Sequence, residues 1–293
     1  MVTTWKSLPR EGFEPDLESD TIVRQSTIGQ LQLCGGRVGY QDQEGYLQAV
    51  SEALVFGQCA HYIINQDVET GEQQDSLLQS MGNWVEELLV DEYDWSLSQV
   101  PNVPEFFSEL GTAYRLWRNT VRPTLKGELL CAEEEMYMPL GEGKNTDITL
   151  RGTADAVYND TLVDWKTAGR GWKPVKASVS MQASLYMPLI KQNLGVSIRK
   201  FTFWVYNRRS GRWERHITQR SVNQIDAALV TAHQYGLQLE AEVYPCTPVP
   251  ESSFNKKRGW YCSPKFCGAW NICEAKFMQD DVNENVIAER TWT

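Results

Sequence analysis

Apolar residues recur along this chain with two different periods, and the change of period separates a helical first part from a β-rich middle. Spacings of three and four residues predict helices over 26–33, 44–64, 84–90 and 105–121. Alternation of apolar and polar residues predicts strands over 130–139, 148–158, 162–167, 199–206 and 213–218. Helical spacing returns over 178–193 and 224–243, and the polar stretch 65–75 is expected to be an exposed loop. The pattern therefore predicts a protein that contains both helices and strands.

The length of 293 residues is close to the practical limit of a single hydrophobic core. We expect four segments, with boundaries at 1–64, 65–128, 129–245 and 246–293; the second is a helical insertion and the third is the core. No run approaches the ~18 apolar residues of a membrane span, and the first residues lack the apolar stretch of a signal peptide. An intracellular protein with no membrane partner is expected.

The net charge of −10 argues at first against a polyanionic partner, but the charges are unevenly distributed. Residues 1–100 carry 4 Lys/Arg against 17 Asp/Glu, whereas residues 165–220 carry 12 Lys/Arg against one acid. Tryptophans interleave with these basic residues, which is the composition of a nucleic-acid surface. The candidate DNA contacts are Arg170, Lys173, Arg208, Arg209 and Arg212. The alternative interpretation is a solvated basic face with the tryptophans in the core.

The stretch 151–167 predicts a hairpin whose two strands carry one aspartate each, Asp155 and Asp164, and a lysine, Lys166. If Asn159-Asp160 forms a two-residue turn, Tyr158 pairs with Thr161, and counting outward sets Asp155 opposite Asp164. Like charges at that separation destabilise a sheet unless a cation compensates them. Alternation places Lys166 on the same face as Asp164. Mg²⁺ or Mn²⁺ bound there is suited to phosphodiester hydrolysis, and the alternative is a solvated cross-strand charge network.

Three of the seven cysteines, Cys262, Cys267 and Cys273, lie within twelve residues. This density indicates metal ligation, although a closed tetrahedral site needs a fourth thiol. Cys246 is the nearest in sequence and would complete a local zinc knuckle. Cys59 and Cys131 are expected to be small buried hydrophobic residues.

Several motifs in order along the chain resemble the RecB-like branch of the PD-(D/E)xK nuclease superfamily. They are Gly57-Gln58-Cys59-Ala60-His61, Gly152-x-x-Asp155, Asp164-x-Lys166-Thr167 and Gln182-x-x-x-Tyr186. The resemblance implies an α/β fold with a restriction-endonuclease-like core, in which helices flank a central mixed sheet. It also implies that His61, Asp155, Asp164 and the carbonyl of Trp165 hold the divalent ion. It further implies that Lys166 assists the attacking water and that Gln182 and Tyr186 orient the substrate strand. His216 and His233 match no motif, and the glutamates at 133–135 are given no site role.

The resemblance also extends to nucleases of this branch with an iron–sulfur cluster, such as AddB-type domains and CRISPR-adaptation nucleases. Residues 26–34 are similar to their N-terminal helix that ends in a cysteine. This similarity implies a [4Fe-4S] cluster held by Cys34, Cys262, Cys267 and Cys273, with a structural role. The chain has four residues between Cys262 and Cys267 where the family commonly has two, so structural Zn²⁺ remains the alternative.

The function that the resemblance implies is a Mg²⁺- or Mn²⁺-dependent DNA exonuclease of recombination, repair or replication. Compact nucleases of this kind are similar to phage enzymes, so the cytoplasm of a bacterial or phage-infected cell is the expected location. DNA is the expected partner, as single strands or duplex ends, together with a recombination or replication protein. One alternative is a catalytically silent DNA-binding or scaffolding subunit with the same fold, and another is a zinc-stabilised nuclease that acts on RNA.

Overall fold

The computed structural model describes residues 2–4, 13–46, 51–76, 78, 81, 102–246, 261–263 and 266–273. The chain divides into two compact units. We name Met1–Gln25 with Ser51–Glu240 the sheet unit, and Ser26–Val50 with Ala241–Thr293 the cysteine unit. The predicted helix around 84–90 lies outside the described residues.

The sheet unit is built on six strands. They are β1 (Thr21–Arg24), β2 (Leu129–Glu142), β3 (Asp147–Tyr158), β4 (Thr161–Ala168), β5 (Lys200–Asn207) and β6 (Arg212–Thr218). The sheet has the order β1-β3-β4-β5-β6, with β2 paired to β3. The β1–β3 and β4–β5 pairs are parallel, and the β2–β3, β3–β4 and β5–β6 pairs are antiparallel. The predicted mixed sheet is confirmed, whereas the short strand β1 was not predicted.

Helices cover both faces of this sheet, as the predicted fold class requires. The helices of ten or more residues in the described part of this unit are α3 (Glu52–Thr70), α4 (Val103–Leu116), α6 (Met181–Leu194) and α7 (Val222–Glu240), and the five-residue helix α5 (Pro174–Ser178) precedes α6. The Cα of Gly152 faces Tyr186 and Leu189 of α6, while Asp155, three residues on and therefore on the other face, lies beside His61 of α3. No helix in the described part of the chain is long and apolar enough to cross a membrane.

Helix α3 differs from its predicted limits at both ends. It begins after Ser51, whose side chain caps it by accepting a hydrogen bond from the N–H of Leu54 at 3.3 Å. It continues to Thr70, so the prediction of an exposed loop from residue 65 was wrong. Two of the polar residues there belong to the interior: Asn65 and Asp67 are buried, and Asp67 is bound by Tyr114, Arg118 and Arg122. A hydropathy pattern assigns such polar residues to an exposed loop, because it cannot detect hydrogen-bonding partners that are distant in sequence.

The cysteine unit contains short helical elements and turns. Helix α1 (Gln25–Leu33) ends directly before Cys34, and the short helix α2 (Gly36–Gly39) follows. The N–H of Gly35 donates to the carbonyl of Pro245 at 2.8 Å, which brings 34–36 beside 245–246. Turns follow in the last described segment, where the N–H of Cys273 donates to the carbonyl of Ala269 at 2.8 Å.

Candidate active site and cysteine cavity

Two strands, β1 and β4, pair with different parts of the same edge of β3, and Asp155 lies on that edge. Strand β1 pairs with Ile148–Arg151, and β4 pairs with the last three residues of β3, ending at Ala156↔Val163. Strand β2 pairs along the other edge, so Gly152–Asp155 lie where β1 and β4 have separated. The sheet therefore forks beside Asp155, and the fork provides room for a site within an otherwise continuous sheet.

The predicted hairpin is present, but its two aspartates are not a cross-strand ladder pair. Tyr158 pairs with Thr161 as predicted, and Asn159 adopts the left-handed conformation that the turn requires, with φ of 46°. Beyond Ala156↔Val163 the strands diverge, and the Asp155 carboxylate instead accepts a hydrogen bond from the backbone N–H of Trp165 at 2.7 Å. Counting residues outward from the turn could not detect this divergence, because it assumes that β3 and β4 stay paired. Strand β1, which the sequence pattern did not predict, instead pairs with the earlier part of β3.

Asp164 is the most enclosed acid of this site, with 2% exposure. Its Oδ1 accepts hydrogen bonds from Lys166 Nζ at 2.9 Å and from Gln182 Nε2 at 2.6 Å. Its Oδ2 is buried and has no hydrogen-bond partner among the described residues. A buried carboxylate oxygen without a partner is costly, so this atom indicates a missing ligand or ion.

His61 and Glu133 complete a group of metal-ligating atoms around Asp155. The Nδ1 of His61 lies 3.5 Å from Asp155 Oδ2. One ligand atom each from His61, Glu133 and Asp155 lie within 4.8 Å of one another. A histidine nitrogen with carboxylate oxygens is a donor set that divalent cations accept. The structure thus brings the predicted His61 and Asp155 together, and adds a residue that the sequence analysis set aside.

Glu133 was missed because three consecutive glutamates give no sign of which one faces the site. The pairs Ala132↔Ala156 and Glu134↔Ala154 set Glu133 opposite Asp155, a register that the sequence of β2 does not encode. Its φ of 47° is unusual for a residue other than glycine. Its Oε1 accepts a hydrogen bond from Asn65 Nδ2, and Asn65 Oδ1 accepts one from the buried indole N–H of Trp165 at 3.2 Å.

Burial and mutual repulsion set the charge states in this site. Burial, and secondarily the Asp155 charge, raises the pKa of Asp164 to about 6, while burial and the Lys166 charge lower the pKa of His61 to about 4. Burial, together with the Asp155 carboxylate, raises the pKa of Glu133 to about 7. Burial opposes the charge on Lys166, but the Asp164 and Asp155 carboxylates outweigh it and raise the pKa of Lys166. Lys166 is therefore an ammonium, and His61 is neutral and able to bind a metal.

The two predicted substrate-orienting residues of α6 lie beside the same acids. Gln182 contacts Asp164 directly, as described above. Tyr186 lies near them, since burial and the charges of Asp164 and Asp155 raise the pKa of its hydroxyl to about 12. The other side of the site opens into a cavity of about 750 Å³. Its lining includes His61, Tyr62, Asn65, Glu133, Asp155 and Lys166.

Four of the five candidate DNA-contacting residues are exposed: Arg170, Lys173, Arg209 and Arg212. Arg208 differs. Its guanidinium binds Glu109 at 2.6 and 2.9 Å and Glu52 at 2.8 Å, and it lies over the ring of Phe56 at 4.2 Å from the centroid. Two carboxylates already compensate the charge of Arg208. Its side chain therefore connects α3 and α4 to the turn that follows β5, and it is poorly placed to contact phosphate.

Five thiols of the cysteine unit surround one small cavity. They are Cys34, Cys246, Cys262, Cys267 and Cys273. None of the seven cysteines, all of which lie in the described part of the chain, forms a disulfide bond. A Cβ on Gly36 would lie 2.5 Å from the Sγ of Cys246, so glycine leaves the space that the thiol occupies. Burial, with the neighbouring Cys273 and Cys34, raises the pKa of Cys246 to about 12. Cys59 and Cys131 are buried in the sheet unit, as predicted.

The sequence matches neither a protein-family model nor a curated protein. Among solved structures, the chain resembles a protein named SSO0001, with 15% identity, a TM-score of 0.41, and coverage of 90% of this chain and 89% of that one. It also resembles LHK-Exo in complex with dAMP, with 13% identity, a TM-score of 0.25, and coverage of 72% and 93%. A phage-related exonuclease from Haemophilus somnus 129PT has 12% identity, a TM-score of 0.21, and coverage of 63% and 94%. These likenesses are weak, so the function must be inferred from the site itself.

Proposed function

We propose that this protein is a divalent-metal-dependent nuclease that hydrolyses DNA phosphodiester bonds at the fork between β3 and β4. The observation that carries the proposal is the buried, unpartnered Oδ2 of Asp164 beside an ammonium and close to a histidine and a second carboxylate. The donors fit Mg²⁺ or Mn²⁺, because these hard cations prefer oxygen ligands and the two aspartates supply them.

His61, Asp155, Asp164 and the backbone carbonyl of Trp165 would hold the ion. A divalent ion in such a site polarises a phosphate oxygen and lowers the pKa of a bound water. The protein contributes a fixed frame for these donors: the N–H of Trp165 holds Asp155, while Lys166 and Gln182 hold Oδ1 of Asp164. Only the other oxygen of Asp164 is left to face a ligand.

Lys166 has the role of an electrostatic stabiliser rather than a base. Because neighbouring carboxylates keep its Nζ protonated, it cannot accept a proton from water at neutral pH. Its ammonium can orient the attacking water and stabilise the negative charge that develops on the phosphate in the transition state. Tyr186 and Gln182 approach the same acids from α6 and are suited to orient the substrate strand.

DNA is the substrate that the exposed charges favour. Arg170, Lys173, Arg209 and Arg212 can neutralise backbone phosphates, which supplies most of the affinity for a polyanion. We propose an exonuclease of recombination, repair or replication, with single strands or duplex ends as substrates.

The cysteine cavity is proposed to hold a structural [4Fe-4S] cluster through Cys34, Cys262, Cys267 and Cys273. Five thiols around one cavity support a thiolate-ligated metal, and the space left by Gly36 supports close packing around it. Zinc is the alternative, and colour separates the two. An iron–sulfur cluster absorbs broadly at roughly 400 nm, whereas Zn²⁺ has a filled d shell and is colourless.

The test is a cleavage assay on end-labelled single-stranded DNA, duplex DNA and RNA, with Mg²⁺, with Mn²⁺ and with EDTA. We expect metal-dependent loss of terminal nucleotides from DNA, and its abolition in Asp164→Asn. Asp147 lies at the exposed start of β3, so Asp147→Asn is the control and should cut DNA at the wild-type rate. Cleavage of RNA alone would favour the RNA nuclease. DNA binding without cleavage in any metal would favour the silent subunit.

A further inference from the structure

Glu133 is the one residue of the glutamate run 133–135 that reaches the cleft. Its carboxylate has an oxygen within 4.8 Å of ligand atoms of both His61 and Asp155. Glu135 is bound by Arg151 and Tyr137, and of the three glutamates, all within the described strand β2, Glu133 alone lines the cavity. It is exposed on the cavity side, so an ion in solution can reach its carboxylate.

The carboxylate of Glu133 is held in place rather than free to turn. Asn65 on α3 donates to one oxygen, and the indole of the fully buried Trp165 fixes the other end of the Asn65 amide. Trp165 also donates its backbone N–H to Asp155. Trp165 therefore positions two carboxylates, one from β2 and one from β3, close to His61. Hydrogen bonds from residues that do not themselves contact the metal commonly hold its ligands in the correct orientation.

The charge balance of the cleft gives a second reason to include Glu133. The two aspartates carry two negative charges when ionised, and the Lys166 ammonium, 2.9 Å from Asp164, compensates one of them. That leaves one net negative charge to face a divalent cation. Ionised Glu133 brings the net charge to two, which matches the cation and leaves the occupied site neutral.

A separate atom indicates that an ion belongs between these groups. Asp164 Oδ2 is buried, has no hydrogen-bond partner among the described residues, and belongs to a carboxylate close enough to His61, Asp155 and Lys166 to interact with their charges. Its need for a partner is independent of the glutamate and of the hydrogen bonds that hold it.

We propose that Glu133 is a third carboxylate ligand of the divalent ion, in addition to Asp155 and Asp164. This inference rests on the proposed nuclease function, because it concerns the same ion. It makes β2 part of the metal site and assigns Asn65 and Trp165 as positioning residues for its ligands.

The experiment measures Mn²⁺ binding to the full chain by calorimetry and by the electron paramagnetic resonance signal of free Mn²⁺. The variants are Glu133→Gln, which keeps the shape and the acceptor for Asn65, and Glu134→Gln, its neighbour, as the matched control. Loss of groups that merely support a ligand costs about 10- to 100-fold in metal affinity, so Glu133→Gln should weaken Mn²⁺ at least about tenfold. Glu134→Gln should bind as the wild type does.

A stability readout accompanies the affinity. Removing one of three neighbouring negative charges should raise the Tm of the metal-free protein and reduce the rise in Tm on adding Mn²⁺. Glu133→Asp keeps the charge on a shorter side chain, so its Mn²⁺ affinity should lie between those of the wild type and Glu133→Gln. If Glu133→Gln folds poorly, Glu133→Asp provides the test of Mn²⁺ affinity instead.

The outcomes separate the two proposals. Wild-type binding of Mn²⁺ with unchanged affinity in Glu133→Gln and Glu133→Asp would overturn the role of Glu133 and leave the nuclease proposal standing. A wild-type protein that binds no Mn²⁺ and cuts no DNA would overturn the proposed function and, with it, this inference.

Discussion

The cleft at the sheet fork and the cysteine cavity both bring several ionisable groups together, but they compensate charge in different ways. In the cleft, the Lys166 ammonium donates a hydrogen bond to Asp164 at 2.9 Å, so the protein itself supplies a positive charge that compensates this carboxylate. In the cavity, burial and neighbouring thiols raise the pKa of Cys246 to about 12, so its uncharged form is favoured. A thiol must lose its proton to bind metal. The cleft is therefore charged before any ion binds, whereas the thiols of Cys246 and Cys267 in the cavity favour their neutral forms.

The two sites also depend on different backbone supports. Asp155 and Asp164 lie on strands fixed by ladders with their neighbours, and Asp164 pairs with Phe203 of β5. The five cysteines of the cavity lie outside helices and strands, for example where the N–H of Cys267 donates to the carbonyl of Ser263 at 2.9 Å. We therefore expect the cleft to keep its shape without an ion, and the cysteine unit to rely on its metal for stability.

The largest expected effect is the loss of the metal from the cysteine cavity in Cys34→Ala. Structural thiolate sites contribute about 10–16 kcal/mol in the zinc case. Removing a ligand should therefore release the proposed metal and expose amides of 26–46, 261–263 and 266–273 to hydrogen exchange. Metal analysis, absorbance at roughly 400 nm and exchange mass spectrometry measure this.

Cys246→Ala is the matched control for that prediction. Because the family resemblance assigns the four ligands to the other cysteines of the cavity, we expect Cys246 to be the neutral fifth thiol, and its variant should keep both metal and colour. If Cys246 proved essential and Cys34 dispensable, a local zinc knuckle would replace the cluster that joins distant segments.

The next largest effect concerns the counter-charge in the cleft. Lys166→Ala should slow DNA cleavage at least about 10²-fold, since transition-state charge loses its stabiliser. The same variant should bind Mn²⁺ as tightly as the wild type or more tightly, because a cation next to the ligands has been removed. Single-turnover cleavage and Mn²⁺ titration measure the two effects, with Lys126→Ala as the exposed control. Parallel losses of both would indicate that Lys166 only maintains the structure.

Sequence patterns predicted these two sites unequally, for physical reasons. The residues on the hairpin could be predicted because a two-residue turn fixes which side chains share a face. Glu133 could not, because the register between β2 and β3 and the left-handed backbone at Glu133 depend on tertiary contacts. The predicted strands from β2 to β6 were confirmed, while β1, four residues long, and the last turns of α3 were not anticipated. In both cases long-range partners, not local periodicity, decide the structure.

The position of Cys246 shows the same limit in the cysteine unit. Spacing grouped the three C-terminal cysteines, and the family resemblance added Cys34. The structure gathers these four and Cys246 around one cavity. The two fourth-ligand candidates weighed from the sequence, Cys34 and Cys246, therefore both lie at the cavity.

A third, smaller effect concerns access of DNA to the cleft. Arg209 and Arg212 are exposed, whereas Arg208 is bound by Glu109 and Glu52. Arg209→Ala with Arg212→Ala should reduce the slope of log affinity against log salt by about 1 to 2, since each lost phosphate contact removes about 0.9 of a counterion on duplex DNA. Arg208→Ala should lower Tm and leave the slope unchanged. A slope unaffected by the double variant would place the DNA on another surface.

The smallest effect separates the stability of the sheet unit from that of the cysteine unit. Glu240 is the last residue of α7 and of the sheet unit, and its carboxylate accepts hydrogen bonds from the N–H groups of Lys144 at 2.8 Å, Asn145 at 2.5 Å and Thr146 at 2.9 Å. These bonds, the one from Lys144 first, lower the pKa of Glu240 from its ordinary value of 4.5. The ionised carboxylate thus stabilises the fold above pH 4.5, and this contribution is lost as the pH falls through the lower folded value. Glu240→Gln should therefore lower Tm slightly at pH 7, and the two melting curves should converge in acid, while the metal content of the cysteine cavity stays the same. A difference in Tm that persisted unchanged below pH 4 would show that the charge of Glu240 is not what holds the turn at 144–146.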